Sequence, residues 1–234
     1  MQKNQYALEQ LKFLEQSGNH AQILQICPQS YTDSQALHLR YKASRFRSES
    51  FVGNLNLDLL QSEADLLLNS IYRHTHNKEN ILLLEAETLM LLSLSRICRR
   101  KGEWKKAKRL AAQASKIAKT YKIKELHFDA QAARAQCLAE LDSHYLSCAA
   151  YEAIRKDLEA PLFRRQMATL NESWLRFDLG QWAQLNELRD QFPRGFEWRP
   201  QLALLLLNWQ TIELDEIIQM GPSMDSSPSE TPIL

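Results

Sequence analysis

Residues 91–114, LLSLSRICRRKGEWKKAKRLAAQA, contain the pattern that decides the fold. Leucines recur at helical spacing up to Cys98, and Gly102 then supplies a residue that can leave the helix with a positive φ. Trp104 follows two positions after the glycine. Alanines then recur at helical spacing, at Ala107, Ala111 and Ala114. Because alanines on a buried face let a neighbouring helix approach closely, the stretch predicts two helices joined by a tight turn.

The composition extends this helical prediction to the whole chain. Among 234 residues there are 39 leucines but one valine, Val52, and only six glycines and seven prolines. Leucine favours helices and β-branched residues favour strands, so a substantial β-sheet is excluded. The scattered glycines form no phosphate-cradling motif, which excludes folds that bind cofactors on glycine-rich turns. The sequence therefore predicts an all-α fold.

Apolar spacing and breaker residues predict eleven helical segments. They lie at 2–17, 20–27, 32–47, 55–75, 79–101, 103–121, 123–141, 143–159, 162–179, 181–191 and 200–219. Residues 221–234 are rich in proline and serine and cannot bury enough apolar surface to fold. We therefore expect one helical domain over residues 1–220, followed by a disordered tail.

A turn residue recurs along the chain, followed two positions later by tryptophan or histidine. The turn residues are Gly18, Gly102, Asp142 and Gly180. They are separated by 84, 40 and 38 residues, and the first interval equals two units of 42. A further copy is therefore expected near Gly53. This spacing predicts a repeated helix pair.

The repeated unit resembles the tetratricopeptide repeat, in which a small turn residue, an aromatic residue and alanines follow in this order. Residues 91–114 carry the full pattern, although Ser95 stands where the family usually has glycine. The later copies depart further, since Asp142 replaces the turn glycine and Leu185 replaces the alanine. The resemblance implies a right-handed α-solenoid of antiparallel helix pairs over residues 2–192. Residues 200–219 would then form a C-terminal capping helix.

The resemblance also implies that the first helix of each pair lines a concave groove at fixed positions before the turn. The implied binding positions begin with Leu89 and Leu92 in the best repeat and with Asp129 in the next one. The predicted partner-binding residues are Arg96, Arg99, Arg100, Gln136, Glu140, Trp174 and Phe177. Arginine binds carboxylates through a planar fork, and aromatic residues anchor apolar side chains. The alternative is that the arginines only favour a helix C-terminus and the aromatic rings only fill the core between repeats.

These features predict a non-enzymatic scaffold or adaptor that binds a peptide or helix of a partner protein. A regulatory subunit that binds its partner in this way is also compatible with them. The partner is expected to combine acidic residues with an apolar anchor. No convincing helix-turn-helix is present, so a role in transcription would require a separate DNA-binding partner.

The charge distribution supports an alternative function. The net charge is +1, but residues 96–124 contain twelve basic residues and one acid, Glu103. Binding of nucleic acid or another polyanion would use the cations Lys105, Lys108, Arg109, Lys116 and Lys119. The same run is also compatible with a solvated helix face. It is further compatible with self-assembly, in which the basic middle of one chain meets an acidic surface of another.

No motif indicates a cofactor, a metal ion or catalysis. The four cysteines, Cys27, Cys98, Cys137 and Cys148, form no C-x-x-C pair and are expected to be free thiols in a reducing compartment, the cytoplasm. His74 and His76, with Glu79, are weak metal candidates that fit a solvated helix end better. Leu202–Leu207 is the longest apolar run and is too short to span a bilayer, so no membrane is expected.

Overall fold

The computed structural model describes residues 2–26, 34–52, 56–74 and 80–189, and every regular element in these ranges is an α-helix. The helices are α1 (Gln2–Gln16), α2 (His20–Ile26), α3 (Gln35–Val52), α4 (Leu57–His74), α5 (Ile81–Arg100), α6 (Trp104–Thr120), α7 (Lys124–Ala139), α8 (His144–Lys156), α9 (Leu162–Asp178) and α10 (Trp182–Arg189). The prediction of an all-α fold is confirmed. The predicted helix 200–219, the domain end at 220 and the tail 221–234 lie outside the described residues.

The chain divides into two compact units, Met1–Arg165 and Gln166–Leu234. Within the first unit each helix packs against the next one in the chain, and α5 also contacts α3 and α7. The second unit is described as far as residue 189. Packing of consecutive helices is compatible with a helical repeat.

Four helix pairs end their first helix at a residue that the sequence marks as a turn. Gly18, Gly102, Asp142 and Gly180 have φ values of 71°, 75°, 57° and 65°. The amide of the following residue donates to a carbonyl five positions back at 2.9, 2.8, 2.9 and 2.8 Å, respectively. This bond, together with the left-handed residue, is the Schellman motif that closes a helix C-terminus. The predicted turn positions are therefore confirmed, whereas the copy expected near Gly53 lies outside the described residues.

Each of these turns is also flanked by one buried pair, seven residues before it and five residues after it. The pairs are Leu11 with Ile23, Ser95 with Ala107, Ala135 with Ser147, and Ser173 with Leu185, and no member is more than 1% exposed. The Ser95 hydroxyl donates to the Ala107 carbonyl at 2.9 Å. In the next pair the donor is exchanged, since the Ser147 hydroxyl donates to the Ala135 carbonyl at 2.7 Å. A serine is tolerated at this close contact because the opposite backbone satisfies its hydroxyl.

The buried face of α6 is made of small residues, as its sequence predicts. The alanines at 107, 111, 114 and 118 are fully buried. Two of them, Ala114 and Ala118, join a core cluster that extends over residues of α3, α4, α5, α6 and α7. The opposite face of α6, which carries its lysines and arginine, is consequently turned to solvent.

Two helices end three or more residues away from their predicted C-terminal ends. Helix α3 continues to Val52 instead of residue 47, and α8 ends at Lys156 instead of residue 159. Ser48 and Ser50 favour an early end to α3, since serine competes for backbone hydrogen bonds. Both are only 1% exposed, and the Ser50 hydroxyl donates to the Arg47 carbonyl at 2.6 Å inside the helix. Tertiary packing therefore overrides the local preference and places Phe51 on the last turn of α3.

The turn at Asp142 gives a stability prediction of defined sign. A left-handed conformation costs an ordinary residue roughly 1–2 kcal/mol, and glycine avoids that cost. We expect Asp142→Gly to stabilise the protein by about 1 kcal/mol, which raises Tm by about 2–4 °C. The reverse change, Gly102→Ala, should destabilise by about 1 kcal/mol for backbone reasons alone, since its added Cβ meets no atom within 4 Å. Thermal unfolding of both variants tests this, and equal shifts of the same sign would contradict it.

Candidate functional site

An ion network formed by Lys12, Glu15, Arg40 and Glu85 connects the C-terminal half of α1 with the N-terminal halves of α3 and α5. Arg40 is 1% exposed and contacts both carboxylates. Its Nη2 lies 2.6 Å from Glu15 Oε2 of α1, and its Nε lies 2.8 Å from Glu85 Oε2 of α5. The network therefore joins α1, α3 and α5 through charges that are withdrawn from water.

The electrostatics of this network are set by close pairing. Burial by itself raises the pKa of Glu15, but the Arg40 guanidinium and the Ser44 hydroxyl more than offset it, so the pKa lies below its ordinary value. The hydroxyl of Ser44 donates to Glu15 Oε1 at 2.6 Å. Glu15 is thus held ionised inside the protein.

Asp129 on α7 forms a second buried ion contact. Its carboxylate pairs with Arg47 of α3 and lies 2.5 Å from Nε of Arg164 on the first turn of α9. Burial raises the pKa of Asp129, and the two arginines lower it further than burial raises it.

The first groove positions implied by the repeat are buried. Leu89 and Leu92 are 0% and 6% exposed. Early positions of the expected concave surface are therefore interior positions in α5 and α7.

The C-terminal end of α5 carries the candidate site, an arginine cluster formed by Arg96, Arg99 and Arg100 together with Arg47 of α3. Arg96 and Arg99 are half-buried, and Arg100 is exposed. The guanidinium carbon of Arg96 lies 3.7 Å from the centre of the Phe51 ring, and its Nε donates to the Ser50 carbonyl at 3.4 Å. The last turn of α3 thus fixes the position of Arg96 through a cation–π contact.

His20 stacks on the same aromatic ring. The ring centres of His20 and Phe51 are 4.0 Å apart, with an angle of 14° between their planes. Burial and the nearby guanidinium of Arg47 lower the pKa of His20 to about 3, with further contributions from Arg164 and Arg96. His20 is consequently neutral at physiological pH, and it adds no charge to the site.

The arginine cluster has an excess of positive charge that the described residues do not neutralise. Burial together with the charges of Arg99, Arg100 and Arg47 lowers the pKa of Arg96 to about 10. Burial also lowers the pKa of Arg99, whose Nε is buried without a hydrogen-bond partner. Among the described residues, no carboxylate lies within 4.0 Å of a nitrogen of Arg96, Arg99 or Arg100. An anion would relieve this repulsion.

The other predicted site residues fall into two groups. Gln136 and Glu140 on α7 are exposed, and Glu140 is close enough to Arg99 to raise its pKa against the effect of burial. Trp174 and Phe177 belong to the second unit, where their ring centres are 6.4 Å apart and the planes meet at 76°. Both rings are half-buried, and the Trp174 Nε1 is buried without a hydrogen-bond partner. The structure therefore brings Glu140 to the arginine cluster and pairs the two aromatic residues within their own unit.

The sequence interpretation missed three residues of this site: Arg47, Phe51 and His20. Each contributes to the surroundings of Arg96. The repeat pattern marks His20 only as the residue that follows a turn, and it carries no signal for Arg47 at the predicted end of α3 or for Phe51 beyond that end.

A second candidate surface is a basic stripe on α6, formed by Lys105, Lys108, Arg109, Lys116 and Lys119. All but Lys108 are exposed, and Lys108 is half-buried. None of the five has an ion-pair partner in the part of the chain that the structure describes. Two acids close to the stripe in sequence or space are engaged elsewhere, since Glu103 pairs with Lys106 at 3.4 Å and Glu159 pairs with Lys124 at 3.1 Å.

The described cysteines and histidines give no reactive or metal-binding arrangement. Burial raises the pKa of Cys98 to about 11 and also raises that of Cys137, so both thiols stay protonated. Within the described ranges, no group of histidine, cysteine, aspartate or glutamate residues could hold a metal ion. His74 Nδ1 lies 2.8 Å from the Ser70 carbonyl, while His76, Glu79 and Cys27 lie outside the described residues. None of the described helices is both long and apolar enough to cross a membrane.

No family model, no curated protein and no solved structure matches this chain.

Proposed function

We propose that this protein is a non-enzymatic interaction scaffold or adaptor that binds an acidic segment of a partner protein at the arginine cluster. Three arginines lie at the end of one helix without a carboxylate partner among the described residues, and this observation carries the proposal. A partner carboxylate would pair with guanidinium groups that now repel one another, and such charge-assisted bonds are stronger than neutral ones. Partial burial of Arg96 and Arg99 strengthens the attraction, because the local dielectric is lower than in water.

The architecture that we propose for this function is a right-handed solenoid of antiparallel, tetratricopeptide-like helix pairs. Four turns with the same backbone geometry, each flanked by the same buried pair of positions, support a repeated unit. Helical repeats leave a long surface free because each unit packs only on its neighbours. The described cysteines Cys98, Cys137 and Cys148 are free thiols, which fits the cytoplasmic location that we also propose. A role as a regulatory subunit is part of the same proposal.

The site on this surface is narrower than a full concave groove. Leu89 and Leu92 are buried, and Asp129 is neutralised by Arg47 and Arg164. Binding is therefore confined in our proposal to the ends of α5 and α7, with Arg96 and Arg99 holding the acidic group. Gln136 and Glu140 border the site and select the residues beside it. Trp174 and Phe177, the pair of rings in the second unit, are proposed separately as a contact for an apolar side chain of the partner.

Binding of a labelled peptide tests the role of Arg96 and Arg99. The probe is a ten-residue peptide with four glutamates around one phenylalanine, and its reference is the same peptide with glutamines. We expect fluorescence anisotropy to show at least about tenfold tighter binding of the acidic peptide, the effect of roughly 1.4 kcal/mol. The double variant Arg96→Glu/Arg99→Glu should lose this preference while its circular dichroism stays unchanged.

The control is Lys42→Glu/Arg73→Glu, which makes the same change in net charge. Lys42 and Arg73 are exposed residues of α3 and α4. Retained binding by this control shows that position matters, whereas equal losses in both variants would leave only a net-charge effect and refute the site. Affinity capture followed by mass spectrometry, run with the same three proteins, then identifies partners that depend on Arg96 and Arg99.

A further inference from the structure

The basic stripe of α6 is a geometrically regular surface that the proposed peptide site does not use. At about 100° per residue, its five cations lie within roughly 100° of arc around the helix axis. The fully buried Ala107, Ala111, Ala114 and Ala118 occupy the opposite side. From Lys105 to Lys119 the stripe is about 21 Å long at a rise of about 1.5 Å per residue.

The charges of the stripe are available to a ligand from solution. Twelve basic residues lie between 96 and 124, and only Lys101, Lys106 and Lys124 of them form ion pairs with described residues. The stripe itself contains none of these three. Its cations are therefore screened by small counterions, which a polyanion would release on binding.

The surroundings of the stripe indicate which polyanion fits. No large apolar side chain of α6 is exposed, and the residues between the cations include Ala112 and Gln113. A protein partner usually requires an apolar centre in the interface, and single-stranded nucleic acid requires aromatic residues on which bases stack. A duplex requires neither, because its phosphates present one negative charge per about 1.7 Å of axis. We infer that the basic stripe binds double-stranded nucleic acid along its phosphate backbone, without reading the base sequence.

Salt-dependent binding to DNA tests this inference on the full chain. The probes are a fluorescent 20-base-pair duplex of mixed sequence and one of its strands, titrated from 50 to 200 mM KCl. If four exposed cations each neutralise one phosphate, the slope of log K against log salt is about −3.6. Affinity for the duplex then falls about 150-fold over this range, and the single strand binds more weakly at every salt concentration.

The stripe variant replaces Lys105, Arg109, Lys116 and Lys119 with glutamine. We expect it to lose at least about 30-fold in affinity at 50 mM KCl and to lose nearly all of the salt dependence. The control variant carries Lys42→Gln, Arg73→Gln, Arg134→Gln and Lys156→Gln, which are exposed residues on other helices. This control makes the same change in net charge and should bind the duplex as the unmodified chain does.

Several results would overturn the inference. These are absence of duplex binding at 50 mM KCl, equal losses in the stripe variant and its control, and equal competition by polyglutamate of the same total charge. The last result would assign the stripe to an acidic protein instead. Loss of duplex binding in Arg96→Glu/Arg99→Glu to the same extent would place the nucleic acid on the arginine cluster. Because the two surfaces use different residues, failure here leaves the proposed peptide site untouched.

Discussion

Replacement of Arg40 by methionine is expected to lower the free energy of unfolding by about 3–5 kcal/mol, the usual cost of breaking a buried ion pair from one side. Arg40 contacts Glu15 and Glu85 at 2.6 and 2.8 Å and is 1% exposed. Glu85 keeps Lys12 as a partner after the change. Glu15 keeps the hydrogen bond from the Ser44 hydroxyl and the weaker effect of the Arg47 charge, so a buried carboxylate loses its paired counter-ion.

Urea unfolding measures this loss, and Arg45→Met is the matched control on the same helix. Arg45 forms an i, i+4 pair with Glu49, and both side chains are at least 30% exposed. Such surface pairs contribute less than about 1 kcal/mol, so the control should be nearly neutral. A loss in Arg40→Met no larger than that in the control would contradict the role of the network.

A second variant separates lost pairing from lost packing. In Arg40→Met/Glu15→Gln the stranded charge is removed, so we expect the double variant to be more stable than Arg40→Met alone. This recovery is the opposite of what additive losses predict, because the two residues interact directly. Hydrogen exchange of α1 supplies an independent measurement, since Glu15 connects that helix to α3. Its amides should exchange faster in the single variant than in the double one.

The sequence predicted the helices and their turns because these depend on local patterns. The four turn residues adopt positive φ where the repeat places them, and Asp142 does so although it is not glycine. Aspartate tolerates this conformation better than most residues, so the repeat could be followed through it. The end of α3 was predicted wrongly because Ser48 and Ser50 are stabilised by packing and by a bond to the Arg47 carbonyl.

The candidate site was predictable only in part, because it combines residues of one helix with contacts between residues far apart in the sequence. Arg96, Arg99 and Arg100 are spaced i, i+3 and i+4 and therefore lie on one helix face, so the repeat pattern identifies them. The contact of Arg96 with Phe51 joins residues 45 positions apart, and the pairing of Arg47 with Asp129 joins residues 82 positions apart. A single sequence carries no signal for such pairings. Leu89 and Leu92 are buried in a core cluster shared with other helices, and Asp129 is buried by Arg47 and Arg164, so these burials could not be derived beforehand.

Replacement of Asp129 by asparagine is the second change with a large expected effect, a loss of about 3 kcal/mol at neutral pH. The carboxylate lies between Arg47 and Arg164, and its side chain is 6% exposed. Without it, Arg164 loses its carboxylate partner and Arg47 remains unpaired near Arg96, whose pKa is already lowered to about 10 by burial and by other arginines. The control is Asp65→Asn on the exposed face of α4, which should change stability by no more than about 0.5 kcal/mol.

The pH dependence of this loss identifies its electrostatic origin. The pKa values of Asp129 and Glu15 lie below their ordinary values in the folded protein, so the unfolded chain takes up these protons first. Their stabilisation is therefore complete above about pH 5 and decreases as the pH falls through about 4 toward the folded-state pKa values. Urea midpoints measured from pH 7 to pH 3 should fall steeply for the unmodified chain and less steeply for Asp129→Asn, which keeps the contribution of Glu15 but lacks that of Asp129. The stability difference between the two proteins should thus shrink on acidification, and parallel pH profiles would show that Asp129 acts through packing instead of charge.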